Sequence, residues 1–98
     1  MAEKPVSLIA FQYAKPEKRD ELKNELMGLV DATRKEPGCI AYELHNLADD
    51  PSVFVFYEAW ESQQALDDHF NAASFQEFWG RRMDYLTRDV EIKFLSSL

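Results

Sequence analysis

The stretch that decides the fold is CIAYELHNLADDPSVFVFYEAW, Cys39 to Trp60. Its first half alternates. Ile40, Tyr42, Leu44 and Asn46 fall on one side; Cys39, Ala41, Glu43, His45 and Leu47 fall on the other. Such a period of two is the mark of a strand. Asp49-Asp50-Pro51-Ser52 has turn chemistry, and Val53 to Trp60 is a second strand with bulky residues on both faces. Two strands joined by so short a turn form an antiparallel hairpin.

Upstream, Glu36-Pro37-Gly38 stops a helix and turns the chain into the hairpin. That helix opens at Pro16, a residue suited to a first turn. Leu22, Leu26, Leu29, Val30 and Thr33 recur on one helical face, and the charges opposite read as a solvated surface. Before it, Val6 to Ala14 alternates as a strand, with Val6, Leu8 and Ala10 on one face and Ile9, Phe11 and Tyr13 on the other.

Downstream, Ser62 is placed to cap a helix whose apolar stripe is Ala65, Leu66, His69, Phe70 and Ala73. Ser74 and Glu77 have capping-box spacing, with Ala73 and Phe78 as the accompanying staple, so a break is expected near 71–73. Phe75, Phe78, Trp79, Arg82, Met83 and Leu86 then trace a second stripe, and Arg88 to Leu95 closes the chain as a strand.

The order β-α-β-β-α-β is the ferredoxin-like split arrangement, an α+β fold with a four-stranded antiparallel sheet. Helices can cover only one face of such a sheet. Here both faces read apolar, so a second copy of the chain is expected on the other. At 98 residues, 1–98 is one domain. Its 46% hydrophobic and 13% aromatic content exceeds what so small a core needs, which again favours a homodimer.

Acidic residues outnumber basic ones, 18 to 11, for a net charge of -7. Nucleic acid and anionic membranes, which require clustered cations, are not expected partners. The single cysteine, Cys39, excludes an internal disulfide. No signal peptide or membrane span is visible, so a cytoplasmic location is expected. No glycine-rich nucleotide fingerprint, phosphate loop, nucleophile elbow or cysteine pair is present, and the expected cofactor and metal are none.

The residues that can carry chemistry cluster between Tyr57 and Phe75. His69 lies on an apolar stripe and should face the sheet. It reads either as a core or rim histidine satisfied by a backbone carbonyl or as a general base or hydrogen-bond donor in a pocket. Trp60 and Glu58 share a strand face with Phe54 and Phe56. They read either as a core plug and a paired carboxylate or as the wall and donor of an aromatic site. Arg82 either lies over apolar surface or stabilises an anion at the pocket mouth. Tyr57 and Leu66 complete the candidate lining. Glu43 and His45 point the same way, but two ligands do not make a metal site.

These residues match a family. Glu36-Pro37-Gly38-Cys39, Tyr42-Glu43-Leu44, Asp50-Pro51, Phe56-Tyr57-Glu58-x-Trp60, Ser62, Ala65-Leu66, His69 and Phe75 resemble an antibiotic biosynthesis monooxygenase domain of the small quinol-monooxygenase-like type, from about Val6 to Phe94. The resemblance implies a dimeric α/β-barrel and a pocket between helices and sheet. It also implies cofactor-independent oxidation of a quinol, anthrone or polyphenol by dioxygen. His69 then maps onto the family's helix histidine and Trp60 onto its pocket tryptophan, the two expected catalytic residues. Phe56, Tyr57, Glu58, Leu66 and Arg82 are the expected substrate contacts.

Three positions depart from relatives. Ser74 stands where many have a second histidine, Phe56 where anthrone-oxidising members have an asparagine, and Trp79 where haem-degrading members have their iron ligand. Fold alone does not give function. A small-molecule isomerase of the autoinducer-processing type, acting on small signalling sugars, and a non-catalytic ligand-binding or dimerisation module therefore stand as alternatives. The last expects Trp60 and His69 packed together with no cavity between them.

Overall fold

A computed structural model describes residues 4–98. Four strands and three helices follow in the order β1 (Val6–Tyr13), a 3-10 turn (Pro16–Lys18), α1 (Arg19–Thr33), β2 (Cys39–Leu47), β3 (Asp50–Trp60), α2 (Gln63–Asn71), α3 (Ala73–Tyr85) and β4 (Glu91–Leu95). The sheet order is β2-β3-β1-β4, antiparallel throughout. This is the expected α+β ferredoxin-like fold, an open sheet with all helices on one face. Among the described residues no helix is long and apolar enough to cross a membrane.

The register sets the inner face in rows. Tyr42, Glu58, Leu8 and Phe94 lie across from one another, then Leu44, Phe56, Ala10 and Ile92, then Asn46, Phe54 and Gln12. Leu22, Leu26 and Leu29 of α1, Leu66 of α2 and Phe75 and Phe78 of α3 pack down on these rows and are buried. A bulge between Cys39 and Ala41 leaves Ile40 without a partner and exposed, which takes it out of the inward row.

Local chemistry moved several boundaries. The hairpin turn is two residues tighter than Asp49–Ser52, because pairing resumes at Leu47 opposite Asp50 after a register shift beyond the Asn46–Phe54 pair. Asp50 Oδ1 accepts from the Ser52 N–H at 3.1 Å, and Asn46 Nδ2 donates to the Pro51 carbonyl at 2.9 Å. Ser62 caps α2 as expected, accepting from the Ala65 N–H at 3.1 Å. Ser74 does not cap α3. The break is a single extended residue, Ala72 (φ -66, ψ 142). Its N–H closes α2 on the His69 carbonyl, and its carbonyl accepts the Gln76 N–H to open α3.

Met83 is exposed rather than inward, since five residues past Phe78 is well off a 3.6-residue turn. The last strand starts at Glu91, not Arg88. Asp89 is held instead by Arg82, with Nε donating to Oδ1 at 2.7 Å.

Gly38 is the tightest point of the fold. Its φ is +83, and an added Cβ would stand 2.6 Å from the Ala65 Cβ of α2. Only glycine meets both demands. Its carbonyl accepts the Glu61 N–H at 2.8 Å, which ties the start of β2 to the end of β3.

The outer face carries Ile9, Phe11, Tyr13, Val55 and Tyr57, all partly accessible in the single chain, with Tyr57 the most exposed at 37%.

Candidate active site

β3 delivers Glu58 and Trp60 to the inner face because they are two residues apart. Both are buried, at 4% and 0% exposure. The Trp60 indole N–H donates to Glu58 Oε1 at 3.1 Å. No cation pairs with this carboxylate among the described residues. A buried, unpaired carboxylate resists ionisation. Burial lifts Glu58 to about 7; the indole hydrogen bond opposes that rise and the nearby Glu36 charge adds to it.

α2 carries His69 against the indole. The two rings stack with centroids 4.7 Å apart and planes 28° apart, and His69 is wholly buried. Its Nδ1 lies 3.1 Å from Glu36 Oε1. A carboxylate only accepts, so Nδ1 carries the hydrogen. Burial holds the imidazole down at about 4, so the ring is neutral and Nε2 presents a lone pair. That Nε2 has no hydrogen-bond partner.

Tyr42 and Phe75 complete the cage around His69, at 5.4 and 4.9 Å between ring centroids. Burial, and then the Glu58 charge, pushes the Tyr42 phenol well above its usual range.

Beside this cluster, between the sheet and α3, is a cavity of about 20 Å³. Its floor is Tyr42, Glu58, Phe56, Ala10 and Gln12; Phe75, Phe78 and Trp79 of α3 form its roof. That volume holds about one water.

Of the seven residues expected from the sequence, Glu58 and Phe56 line this cavity. Trp60, His69 and Leu66 form the packed wall behind it, and none of the three lines the cavity. Trp60 and His69 are in direct stacking contact. Tyr57 stands on the outer face, because strand alternation turns it away from Phe56 and Glu58. Arg82 sits at the outer end of α3, with its guanidinium 3.9 Å over the Trp79 ring and ion-paired to Asp89.

Two residues were missed. Glu36 lies 33 positions from His69, and only the tight Gly38 turn brings them together. Gln12 continues the inward face of β1 beyond Leu8 and Ala10 as a lone amide, a polar break in an apolar row that the sequence does display. His45 and Glu43 pair with each other at the surface, 3.3 Å apart, and no group of three potential metal ligands occurs among the described residues.

Residues 5–81 match the family profile described as antibiotic biosynthesis monooxygenase. A Mycobacterium tuberculosis protein, Rv0793, provisionally named a monooxygenase, is 32% identical over 94 residues, which is 96% of this chain and 92% of that one. Its structure superposes with a TM-score of 0.91 over 97% of this chain and 96% of that one. The Pseudomonas aeruginosa protein PA3566 is 34% identical, with a TM-score of 0.92 over 100% and 98% of the two chains. A Synechocystis protein, sll1783, is 33% identical over 92 residues; the match takes in 94% of this chain but 63% of that protein's length. The profile covers most of the sequence, and the full-length structural likeness carries the same fold: this chain belongs to the antibiotic biosynthesis monooxygenase family.

Proposed function

We propose that this protein oxidises a small electron-rich aromatic, a quinol, anthrone or polyphenol, with dioxygen and no resident cofactor. The observation that carries the reading is Glu58, a carboxylate without a cation, on the floor of an aromatic-walled cavity. With a pKa of about 7 it can both take and return a proton near neutrality.

An anthrone, or an electron-rich phenol in its keto form, has a methylene conjugated with a carbonyl. Glu58 removes one proton and leaves an enolate. The anion gives one electron to dioxygen, and the two radicals combine in a C–O bond. Protonation yields a hydroperoxide. The second methylene proton then leaves as the O–O bond breaks, and water departs. The sum is CH2 + O2 → C=O + H2O. The carbon loses four electrons, dioxygen gains four, and no outside reductant enters. Trp60 holds Glu58 through its N–H. His69, fixed by Glu36, holds Trp60 by stacking and acts as a positioning residue. A ring is far larger than the cavity, so binding requires the α3 aromatics to move off the sheet, with the extended Ala72 as the hinge.

The protein works as a homodimer in this reading, with the two outer sheet faces packed together and Tyr57 between them. The apolar row Ile9, Phe11, Val55 supports it.

A second reading has its own support. The Trp60–His69 stack, with no cavity between the rings, is the arrangement expected of a binding module without turnover. Metal-stripped protein incubated with hydroquinones and anthrones under isotopically labelled dioxygen separates the two. Oxygenation places one labelled atom in the product and one in water. With His69→Phe, which keeps a stacked ring, turnover falls but its pH profile is unchanged. Turnover without oxygen would point to isomerisation, and binding without turnover to the module.

A further inference from the structure

We propose that Gln12 is a second polar anchor of the ligand site, selecting elongated aromatic ligands with a hydrogen-bond donor at the end away from Glu58. The inference rests on the cavity being the ligand site of the proposed function.

Gln12 is 4% exposed and lines the same cavity as Glu58. Its Oε1 is buried with no hydrogen-bond partner. An amide oxygen in that condition destabilises the empty fold unless something else satisfies it. The neighbours across the strands do not: Phe54 is opposite on β3, and Val90 precedes β4. An apolar side chain of similar length would fill the position without that cost, so the amide is a group held for a partner.

The register gives the direction in which the two groups are separated at their backbones. Glu58 pairs with Leu8, and Gln12 lies four residues further along β1 on the same face. Four strand residues span about 13 Å. A ligand reaching both groups therefore lies lengthwise along the strands with polar atoms at its two ends. Fused-ring phenols have that shape; a single ring with one hydroxyl satisfies only one end. At the Glu58 end the ligand gives up a proton, and at the Gln12 end it donates a hydrogen bond to the amide oxygen.

The test compares 2,6-dihydroxynaphthalene with 2-naphthol, which lacks the far hydroxyl. Binding is followed anaerobically by tryptophan fluorescence, so no turnover is needed. Wild type is expected to bind the diol about tenfold more tightly, the scale of one buried hydrogen bond. Gln12→Leu is expected to bring the ratio near one while leaving 2-naphthol affinity at or above wild type. Without ligand, the same variant is expected to melt at a higher temperature, because an unsatisfied buried group has gone. Equal affinities in wild type, a ratio unchanged by Gln12→Leu, no binding of either compound, or a lower melting temperature would each overturn the inference. If binding follows this pattern but no oxygenation occurs, Gln12 keeps its role and only the reaction fails.

Discussion

Glu58 and His69 are two buried ionisable groups whose environments act in opposite senses. Folding favours protonated Glu58, raised by burial from 4.5 to about 7. Between those values the folded chain binds more protons than the unfolded one, so stability falls as pH rises. Folding favours neutral His69, lowered by burial from 6.5 to about 4. There the unfolded chain binds more protons, so stability rises with pH and is lost as pH falls toward 4. The effects offset between about pH 4.5 and 6.5, and above that only the Glu58 loss remains. Denaturant titrations are expected to show a plateau in that window and a decline through pH 7. Glu58→Gln is expected to abolish the decline, gaining up to about 3 kcal/mol at pH 8. A wild-type profile still rising through pH 7 would count against a buried, unpaired Glu58.

Much of this pairing was hidden in the sequence. The inward phase of Glu58 and Trp60 follows from alternation along one strand, and His69 follows from its apolar stripe. The Glu36–His69 bond does not, since no local pattern links residues 33 positions apart. Tyr57 was drawn into the candidate site by proximity in sequence, although alternation already turned it to the outer face.

Among the elements, the β2–β3 hairpin and the turn before it place the site. Gly38 needs a positive φ and leaves no room for a methyl beside Ala65. Gly38→Ala is expected to cost at least about 2 kcal/mol, from the left-handed backbone and the forced retreat of α2. Because α2 carries His69, the variant should also loosen the Trp60 stack, read as a red shift of tryptophan emission. A variant as stable as wild type with unchanged emission would refute this role. The α2–α3 break was legible in position but not in cause. A capping serine was expected, whereas one extended alanine with both backbone groups bonded suffices. Where β4 begins depended on the Arg82–Asp89 pair, which only the folded chain assembles.

At the scale of the whole molecule, three helices cover one side of a four-stranded sheet and leave the other bearing Ile9, Phe11, Tyr13, Val55 and Tyr57. A dimer through that face is expected, so light scattering at micromolar concentration should give twice the chain mass. Phe11→Glu, which places a charge on the central strand β1, should give the single-chain mass with helical content retained. A wild-type monomer would contradict the packing of two outer faces. The excess of apolar residues in so short a chain made this face legible from composition, and the alternation of Val6 to Ala14 located it.

The central claim, that Glu58 takes the substrate proton for a reaction with dioxygen, is tested most directly by oxygen uptake of metal-stripped protein with a reactive quinol or anthrone. Rates are measured from pH 5 to 9 for wild type and Glu58→Gln. Wild-type uptake is expected to exceed the buffer rate and to rise through a midpoint near pH 7, with the variant at the buffer rate throughout. Uptake by the variant equal to wild type, or no wild-type uptake above buffer, would contradict the account.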